Sequence, residues 1–174
     1  IDGSEHLPAR RISGSFAPAL PSLSTGSRSR SVKLLERRLI DLGYYLPRAD
    51  RIYDNKTYDA VIAFNKVQRS ARVGGVNAAT WKALARPTIP RPRAKRGSHI
   101  EVDQTRQVIF VVAKGEVRWI LHTSTGAGGI TRDGDWRVHR KLAGTSGGGL
   151  YYPSYFDGLR AIHGWSEVPT YPAS

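Results

Sequence analysis

The sequence of 174 residues suits one domain or two small ones, and with 40% apolar and 24% charged residues it has the composition of a folded protein. The 27 Lys and Arg against 14 Asp and Glu give a formal charge of +13, which predicts attraction to a polyanion, either nucleic acid or an anionic bacterial envelope. The absence of Cys excludes disulfides, Cys-ligated zinc and a thiol nucleophile within these residues.

The first 30 residues contain three Pro among many Ser and Gly and show no apolar period. Residues 1–30 are therefore predicted to form a flexible N-terminal tether. The chain begins at Ile1 and contains no Met, so we expect the natural N-terminus, with any signal peptide, to precede these residues. No stretch approaches the roughly 20 apolar residues that a bilayer span requires.

Residues 31–86 follow a helical period and are predicted to form three short helices around one core. The first ends at Gly43, where a C-terminal cap belongs, and the second begins at Asp54 or Asn55. The third begins at Asn77. The apolar positions are Val32, Leu35, Leu39 and Leu42; Tyr58, Val61, Ile62 and Phe64; and Trp81 with Leu84.

Residues 87–97 hold three Pro and several Arg and Lys, a stiff and self-repelling composition that predicts a domain linker. Residues 98–174 then alternate apolar and polar positions, which predicts an antiparallel meander with few helices. The alternating residues are Ile100 and Val102; Val108, Phe110 and Val112; and Val117, Trp119 and Leu121. The expected fold class is multidomain α + β, a small three-helix bundle followed by a mostly antiparallel β-rich domain.

Several residues of the helical segment stand in a more specific pattern than amphipathicity alone requires. They are Leu35, Leu39, Leu42-Gly43-Tyr44, Tyr53-Asp54, Thr57, Ala60-Val61, Phe64, Gly75-Val76, Thr80-Trp81 and Leu84. This pattern resembles the small peptidoglycan-binding domains built from three helices, and it implies a domain that binds the bacterial wall. Asn65 and Arg51 depart from the family, which usually has Gln and Gly there. Phe64 and Trp81 are expected in the core rather than on a ligand surface.

A second ordered set of motifs lies in residues 98–174. It comprises Ile100-Glu101-Val102-Asp103, residues 107–112, Gly115 with Val117, Ser124-Thr125-Gly126, Gly134, Trp136-Arg137-Val138, Tyr155-Phe156, Gly158, Ala161-Ile162-His163-Gly164 and residues 168–174. The set resembles the catalytic domain of the L,D-transpeptidases, enzymes of the bacterial wall. In that family the residue at the place of Ser174 is followed by His-Gly-Cys, so the resemblance implies a catalytic domain truncated before its nucleophile. Thr131-Arg132 stands where Thr-Pro is usual, which predicts a local difference in loop geometry.

The resemblance implies 3-3 cross-linking of peptidoglycan by acyl transfer. In that reaction a cysteine attacks a stem-peptide carbonyl, D-Ala leaves, and an amine on a neighbouring stem resolves the acyl-enzyme. His163 matches the family's His that holds the thiolate or takes its proton, and Ser174 is implied to orient that His through a hydrogen bond. Because these residues contain no thiol, the fragment is expected to be inactive alone.

The residues themselves give a physical argument for His163, which ends an apolar strand before Gly164, a residue that leaves room for close approach of a substrate. A His after a strand is also commonly structural. Tyr152 and Tyr155 are candidates to line the donor-peptide groove, although sheet packing explains Tyr equally well. No His pair has metal-ligand spacing, and no Lys-Ser or Lys-Thr follows the Gly-rich stretch 144–149, so neither a metal nor a cofactor is predicted.

Three functions remain open from the sequence. The first is an exported, extracytoplasmic L,D-transpeptidase with a wall-binding domain, whose partners are peptidoglycan stem peptides, glycan and anionic wall polymers. The second is a noncatalytic peptidoglycan-binding wall protein. The third, a nucleic-acid binder, is supported by charge alone and lacks any known basic and aromatic motif, so nucleic acid is not a predicted partner.

Overall fold

The computed structural model describes residues 20–173, so most of the expected tether and Ser174 lie outside the described residues. The helices are α1 (Arg30–Asp41), α2 (Asn55–Val67) and α3 (Ala78–Ala85). The strands are β1 (His99–Asp103), β2 (Val108–Ala113), β3 (Glu116–His122), β4 (Arg140–Lys141), β5 (Tyr151–Asp157) and β6 (Arg160–Gly164). The predicted order of three helices followed by antiparallel strands is confirmed. None of the helices in residues 20–173 has the length and apolar character that a bilayer span requires.

Each helix begins at a polar side chain that caps it. Ser29, Asp54 and Asn77 precede α1, α2 and α3, and each accepts a backbone N–H from the first turn. Gly43 follows α1 with φ of 85°, the left-handed conformation in which glycine ends a helix. The buried residues that the helices contribute to the core include Val32, Leu35, Leu39, Val61, Phe64, Trp81 and Leu84. Local sequence therefore determines both the helix ends and the inward faces.

The apolar side of α2 differs from the prediction at Tyr58, which is 37% exposed. Its ring lies against Gly74, where a Cβ would come within 2.0 Å of it. The neighbouring Thr57 is buried instead, and its hydroxyl donates to Glu36 Oε1 at 3.1 Å. Thr57 can be buried because Glu36 on α1 accepts its hydrogen bond. The spacing of apolar residues along α2 gives no information about a partner on another helix.

The predicted tether extends too far, because its last residues pack into the helical unit (residues 20–86). Leu23 is 6% exposed and exchanges two backbone hydrogen bonds with Val76, at 2.9 and 2.8 Å. Pro21 O accepts from Trp81 Nε1 at 2.9 Å. Residues 21–28 therefore belong to the helical unit despite their Ser- and Gly-rich composition, because α3 and the loops before α2 and α3 provide their partners.

The helical unit and the first sheet share one hydrophobic core. The sheet contributes Val108, Phe110, Val112 and Ile120. Ile120 N donates to Gly43 O at 2.8 Å, and Tyr45 N donates to Ile120 O at 3.0 Å. Residues 87–97, predicted to be a linker, thus connect two units that pack directly against each other.

The first sheet has the antiparallel order β1-β2-β3, with a bulge in β3 at Arg118. Val117 pairs with Val112, and Trp119 pairs with the adjacent residue Val111. Arg118 is therefore an extra residue of β3 that has no partner on β2. This shift brings Val117 and Ile120 to the inner face and turns Trp119 outward. The outer face carries the exposed apolar residues Ile100, Val102 and Trp119.

The second sheet has the order β4-β5-β6, also antiparallel, and carries His163 on β6. Tyr151 on β5 pairs with Gly164 on β6, with an irregular register between Tyr151 and Ser154. The Gly-rich stretch 144–149 folds back on β5 through the pair Thr145 and Tyr151. It forms a turn beside the candidate site rather than a phosphate loop.

Replacing Gly115 with Ala is expected to destabilise the fold by about 2 kcal/mol or more. Gly115 has φ of 79° in the turn between β2 and β3, and a Cβ there would lie 2.4 Å from the backbone oxygen of Lys95. Gly148 is the matched control, because its backbone is not left-handed and a Cβ would meet nothing within 4 Å. Chemical denaturation of both variants checks this, and equal losses of stability would contradict it.

Candidate functional site

His163 is exposed on β6, and its ring has a defined orientation. Nδ1 lies 3.1 Å from the backbone oxygen of Gly164. A carbonyl oxygen only accepts, so Nδ1 carries the proton in this contact and Nε2 keeps its lone pair. The neutral ring is thereby arranged to act as a base through Nε2.

Gly164 allows β5 and β6 to approach closely beside His163. A Cβ at Gly164 would lie 3.0 Å from Tyr151 Cδ1 and 3.3 Å from Tyr151 Cβ. A side chain at this position would therefore require Tyr151 to shift by a few tenths of an ångström. The glycine next to His163 thus has a packing reason as well as the predicted role in substrate approach.

A cleft of about 370 Å³ adjoins this pair of strands and is the candidate binding site. It is lined by Gly149, Tyr151, Gly164, Trp165 and Ser166. His163 does not line the cleft, but its ring lies edge-on to the lining residue Trp165, with 6.0 Å between ring centroids. The sequence prediction missed Trp165 and Tyr151. The available signal for Trp165 in the sequence was an aromatic residue directly after His163-Gly164.

The two tyrosines proposed for the donor groove have different environments. Tyr152 is 55% exposed and packs edge-on against the cleft residue Tyr151, with 4.6 Å between ring centroids. Tyr155 is only 7% exposed and lies beneath the Arg140 guanidinium, 4.1 Å from the ring centroid. The structure therefore places Tyr152 against a residue that lines the cleft and favours sheet packing for Tyr155. Ser174 lies outside the described residues.

The residues that lead to Ser174 run back along the end of the first sheet. Ala173 N donates to Thr125 O at 2.8 Å, and Ala127 N donates to Ala173 O at 2.6 Å. Ser124 Oγ donates to Tyr171 O at 2.7 Å. We call residues 168–173 the terminal segment. Its backbone is paired with the loop that follows β3.

A buried polar cluster joins the helical unit to this region. Lys66 on α2 is 2% exposed, and its Nζ lies 2.8 Å from His122 Nδ1. His122 Nε2 in turn lies 3.1 Å from the backbone oxygen of Val168. Burial, and then the charge of Lys66, lower the pKa of His122 to about 4, although the bond to Val168 acts in the opposite direction. His122 is therefore neutral at physiological pH.

Acid is expected to destabilise the fold through His122. Its pKa is about 6.5 in the unfolded chain and about 4 in the fold, so between these values the unfolded state binds the extra proton and stability falls as the pH falls. After allowance for solvent screening of this half-buried ring, the free energy of unfolding falls by about 1–2 kcal/mol.

The His122→Gln variant removes this titration, so its stability should change less steeply between about pH 6.5 and pH 4 than that of the wild type. His139→Gln, at an exposed position, is the control. Urea unfolding across this range measures the difference. A His122→Gln curve that runs parallel to the wild type would refute the assignment.

A smaller cavity of about 120 Å³ lies on the helical unit. It is lined by Glu36, Leu46, Pro47, Arg48, Asp50, Asp54, Lys56 and Thr57. Glu36 is buried there, which raises its pKa, and it accepts hydrogen bonds from Arg51 N and the Thr57 hydroxyl. Among residues 20–173, no three His, Cys, Asp or Glu side chains are grouped closely enough to hold a metal ion.

Comparison with known proteins now places these features in a family. Residues 28–84 match the model of a putative peptidoglycan binding domain. The crystal structure of an L,D-transpeptidase from Xylanimonas cellulosilytica matches 90% of this chain and 84% of its own, at 35% identity and a TM-score of 0.83. This chain belongs to the L,D-transpeptidase family. The predicted resemblance and fold class are thereby confirmed.

Two further structures match at lower similarity. An L,D-transpeptidase from Stackebrandtia nassauensis is 21% identical, with a TM-score of 0.41 over 86% of this chain and 78% of its own. A fused Zn-dependent amidase/peptidase and peptidoglycan-binding protein from Clostridium acetobutylicum is 18% identical, with a TM-score of 0.38 over 83% and 80%. Comparison with curated protein sequences gives no match. Assignment to the L,D-transpeptidases rests on the Xylanimonas structure.

Proposed function

We propose that these residues form part of a peptidoglycan L,D-transpeptidase that binds the wall through its helical unit. The observation that carries the proposal is the His163 ring beside the cleft residue Trp165, with Nδ1 directed to Gly164 O and Nε2 left to accept a proton. Membership of the L,D-transpeptidase family supports the same reaction. Ser174 and Tyr152 are proposed to orient the His and to contact the donor peptide, respectively.

The proposed reaction has two acyl-transfer steps. His163 first takes the proton of the cysteine thiol, and the resulting thiolate attacks the donor carbonyl next to the terminal D-Ala. The new C–S bond replaces the C–N bond, and D-Ala leaves as an amine that takes this proton from the His163 imidazolium. The amine of an acceptor stem then attacks the thioester. The C–N bond forms, the C–S bond breaks, and His163 takes the proton lost by the amine.

The thiol in this reaction must come from outside these 174 residues, which contain no Cys. We therefore expect this chain alone to release no D-Ala from stem peptides. A form that includes the residues following Ser174 should release D-Ala from a stem tetrapeptide and gain the mass of the remaining acyl group. Absence of both signals in that form, or turnover by the 174-residue chain, would refute the proposal.

The proposed location is the cell wall, outside the cytoplasm. The match of residues 28–84 to a peptidoglycan binding domain supports it, and the formal charge of +13 favours anionic wall polymers. Binding of the chain to purified sacculi and to DNA at matched salt tests the choice of partner. We expect retention on sacculi, and a preference for DNA would instead support the nucleic-acid binder.

A noncatalytic wall-binding protein is the second candidate, favoured by the match of residues 28–84 to a peptidoglycan binding domain. The codons after Ser174 distinguish the two functions. His-Gly-Cys supports the enzyme, whereas a stop codon supports the binding protein.

A further inference from the structure

The terminal segment is held by a side chain of the helical unit. Arg72, in the loop between α2 and α3, donates from one terminal nitrogen to Thr170 O at 3.2 Å and from the other to Thr105 O at 3.0 Å. Its guanidinium also lies 4.9 Å from the ring centroid of Tyr171. Since these three contacts use the planar fork and the face of one guanidinium, they fix the terminal segment against both the helical unit and the first sheet.

Lys66 makes a second set of contacts between the helical unit and the first sheet. Its Nζ donates to Gln107 O at 3.0 Å and to Thr123 O at 2.9 Å, and its third neighbour is His122 Nδ1. An ammonium group has three protons and no acceptor, so these three neighbours use all of its donors. His122 Nδ1 must therefore accept, which leaves the ring proton on Nε2.

The tautomer set by Lys66 is the one that the terminal segment needs. Val168 O accepts a hydrogen bond, and only the Nε2–H form of His122 donates to it. Without the Lys66 donor, only the Val168 oxygen would hold His122 in the Nε2–H form, and one end of the ring would lose its partner. Lys66 therefore supports the terminal segment by fixing the side of the His122 ring that faces away from Val168.

A second connection runs from Lys66 through Gln107 and Thr125. Gln107 is 1% exposed, its Nε2 donates to Thr125 Oγ1, and its Oε1 accepts from Thr125 N, both at 2.6 Å. Thr125 O then accepts from Ala173 N. The two ends of the terminal segment, Val168 and Ala173, are thus each linked to the same buried ammonium group.

We propose that Lys66 and Arg72 are positioning residues, through which the helical unit fixes the terminal segment and hence the place of the residues that follow it. This inference relies on the proposed function only for the catalytic purpose of that segment. It gives the peptidoglycan-binding type of domain a role within the catalytic domain, in addition to wall attachment.

The test uses nuclear magnetic resonance of the 174-residue chain at about pH 6, where Lys66 is charged and His122 is neutral. In the wild type we expect His122 to show one protonated nitrogen, Nε2. In Lys66→Met, the Val168 oxygen should keep the proton on Nε2, and the Ala173 amide should exchange with solvent about tenfold faster or more. Lys82→Met, at an exposed position of α3, is the matched control and should leave both signals unchanged.

Arg72→Gln provides a second measurement, because Arg72 lies outside the core and its loss should leave the chain folded. We expect faster exchange of Ala173, with the His122 tautomer unchanged. Arg72→Lys, which keeps the charge but loses the fork, should restore part of the protection. The Leu23 amide, bonded to Val76 within the helical unit, serves as an internal reference that should not change.

Wild-type exchange of Ala173 in Arg72→Gln would overturn the role of Arg72, and wild-type exchange of Ala173 in a folded Lys66→Met would overturn that of Lys66. If Lys66→Met does not fold, Arg72→Gln alone decides whether the helical unit fixes the terminal segment. These signals do not depend on activity. Failure of D-Ala release would therefore refute the proposed function without changing them.

Discussion

The His163→Asn variant of a form that carries the predicted Cys is expected to lose about 10²- to 10⁴-fold in kcat. Asn retains a side-chain donor near the position of Nδ1, so it can keep the contact with Gly164 O. It has no counterpart of the basic Nε2. The substitution therefore removes proton transfer while leaving the cleft and the strand pairing nearly intact, and KM for the donor peptide should change little.

D-Ala release from a stem tetrapeptide measures this effect, and the pH dependence of thiol alkylation gives a second readout. Without the imidazole beside it, the thiol should alkylate only at higher pH, closer to the behaviour of a free thiol. His139→Asn is the control, because His139 is also exposed but is not part of the His163-Gly164 motif. A His163→Asn enzyme with full kcat would exclude His163 as the base.

The helices were predictable because their signals are local. Ser29, Asp54 and Asn77 cap the first turns, and Gly43 ends α1, within a residue or two of the predicted ends. Phe64 and Trp81 are buried, as their helical spacing indicated. Each of these features depends on residues within one or two turns of each other.

The side chains of β3 that face the core were harder to predict from the sequence, because a bulge changes which side chains share a face. Val117, Trp119 and Leu121 alternate in sequence, but the extra residue Arg118 brings Val117 and Ile120 together in the core. Nothing in the alternation marks Arg118 as the bulged residue. Packing against the helical unit, which is distant in sequence, selects this register.

The cluster at Lys66 was missed for a related reason. Lysine is usually found on the solvated surface, but Lys66 lies one turn after Ile62, on the buried side of α2. That placement was the available signal, since a lysine on an inward face requires acceptors. The acceptors come from the first sheet, at residues 107, 122 and 123, and no local pattern in α2 predicts them. The site at His163 was predicted by its motif, whereas the cleft residue Trp165 was not.

The stability of the wild type is expected to increase by about 2 kcal/mol, relative to Lys66→Met, between about pH 7 and pH 9. Burial, and then the nearby charge of Arg72, lower the pKa of Lys66 to about 7, and only Asp59 opposes them. In the unfolded chain the pKa of a lysine is about 10.4. Between these values the fold releases a proton that the unfolded chain keeps, so stability rises with pH.

Denaturant unfolding of wild type, Lys66→Met and the control Lys82→Met across this range measures the effect. The wild-type and Lys82→Met curves should rise together, and the Lys66→Met curve should stay flatter, because Met has no proton to release. This window lies above the one in which His122 titrates, so the two groups of the cluster are measured separately. Parallel curves for all three proteins would mean that Lys66 titrates alike in the folded and unfolded chains, and the buried ammonium would then not be the group that joins α2 to the sheet.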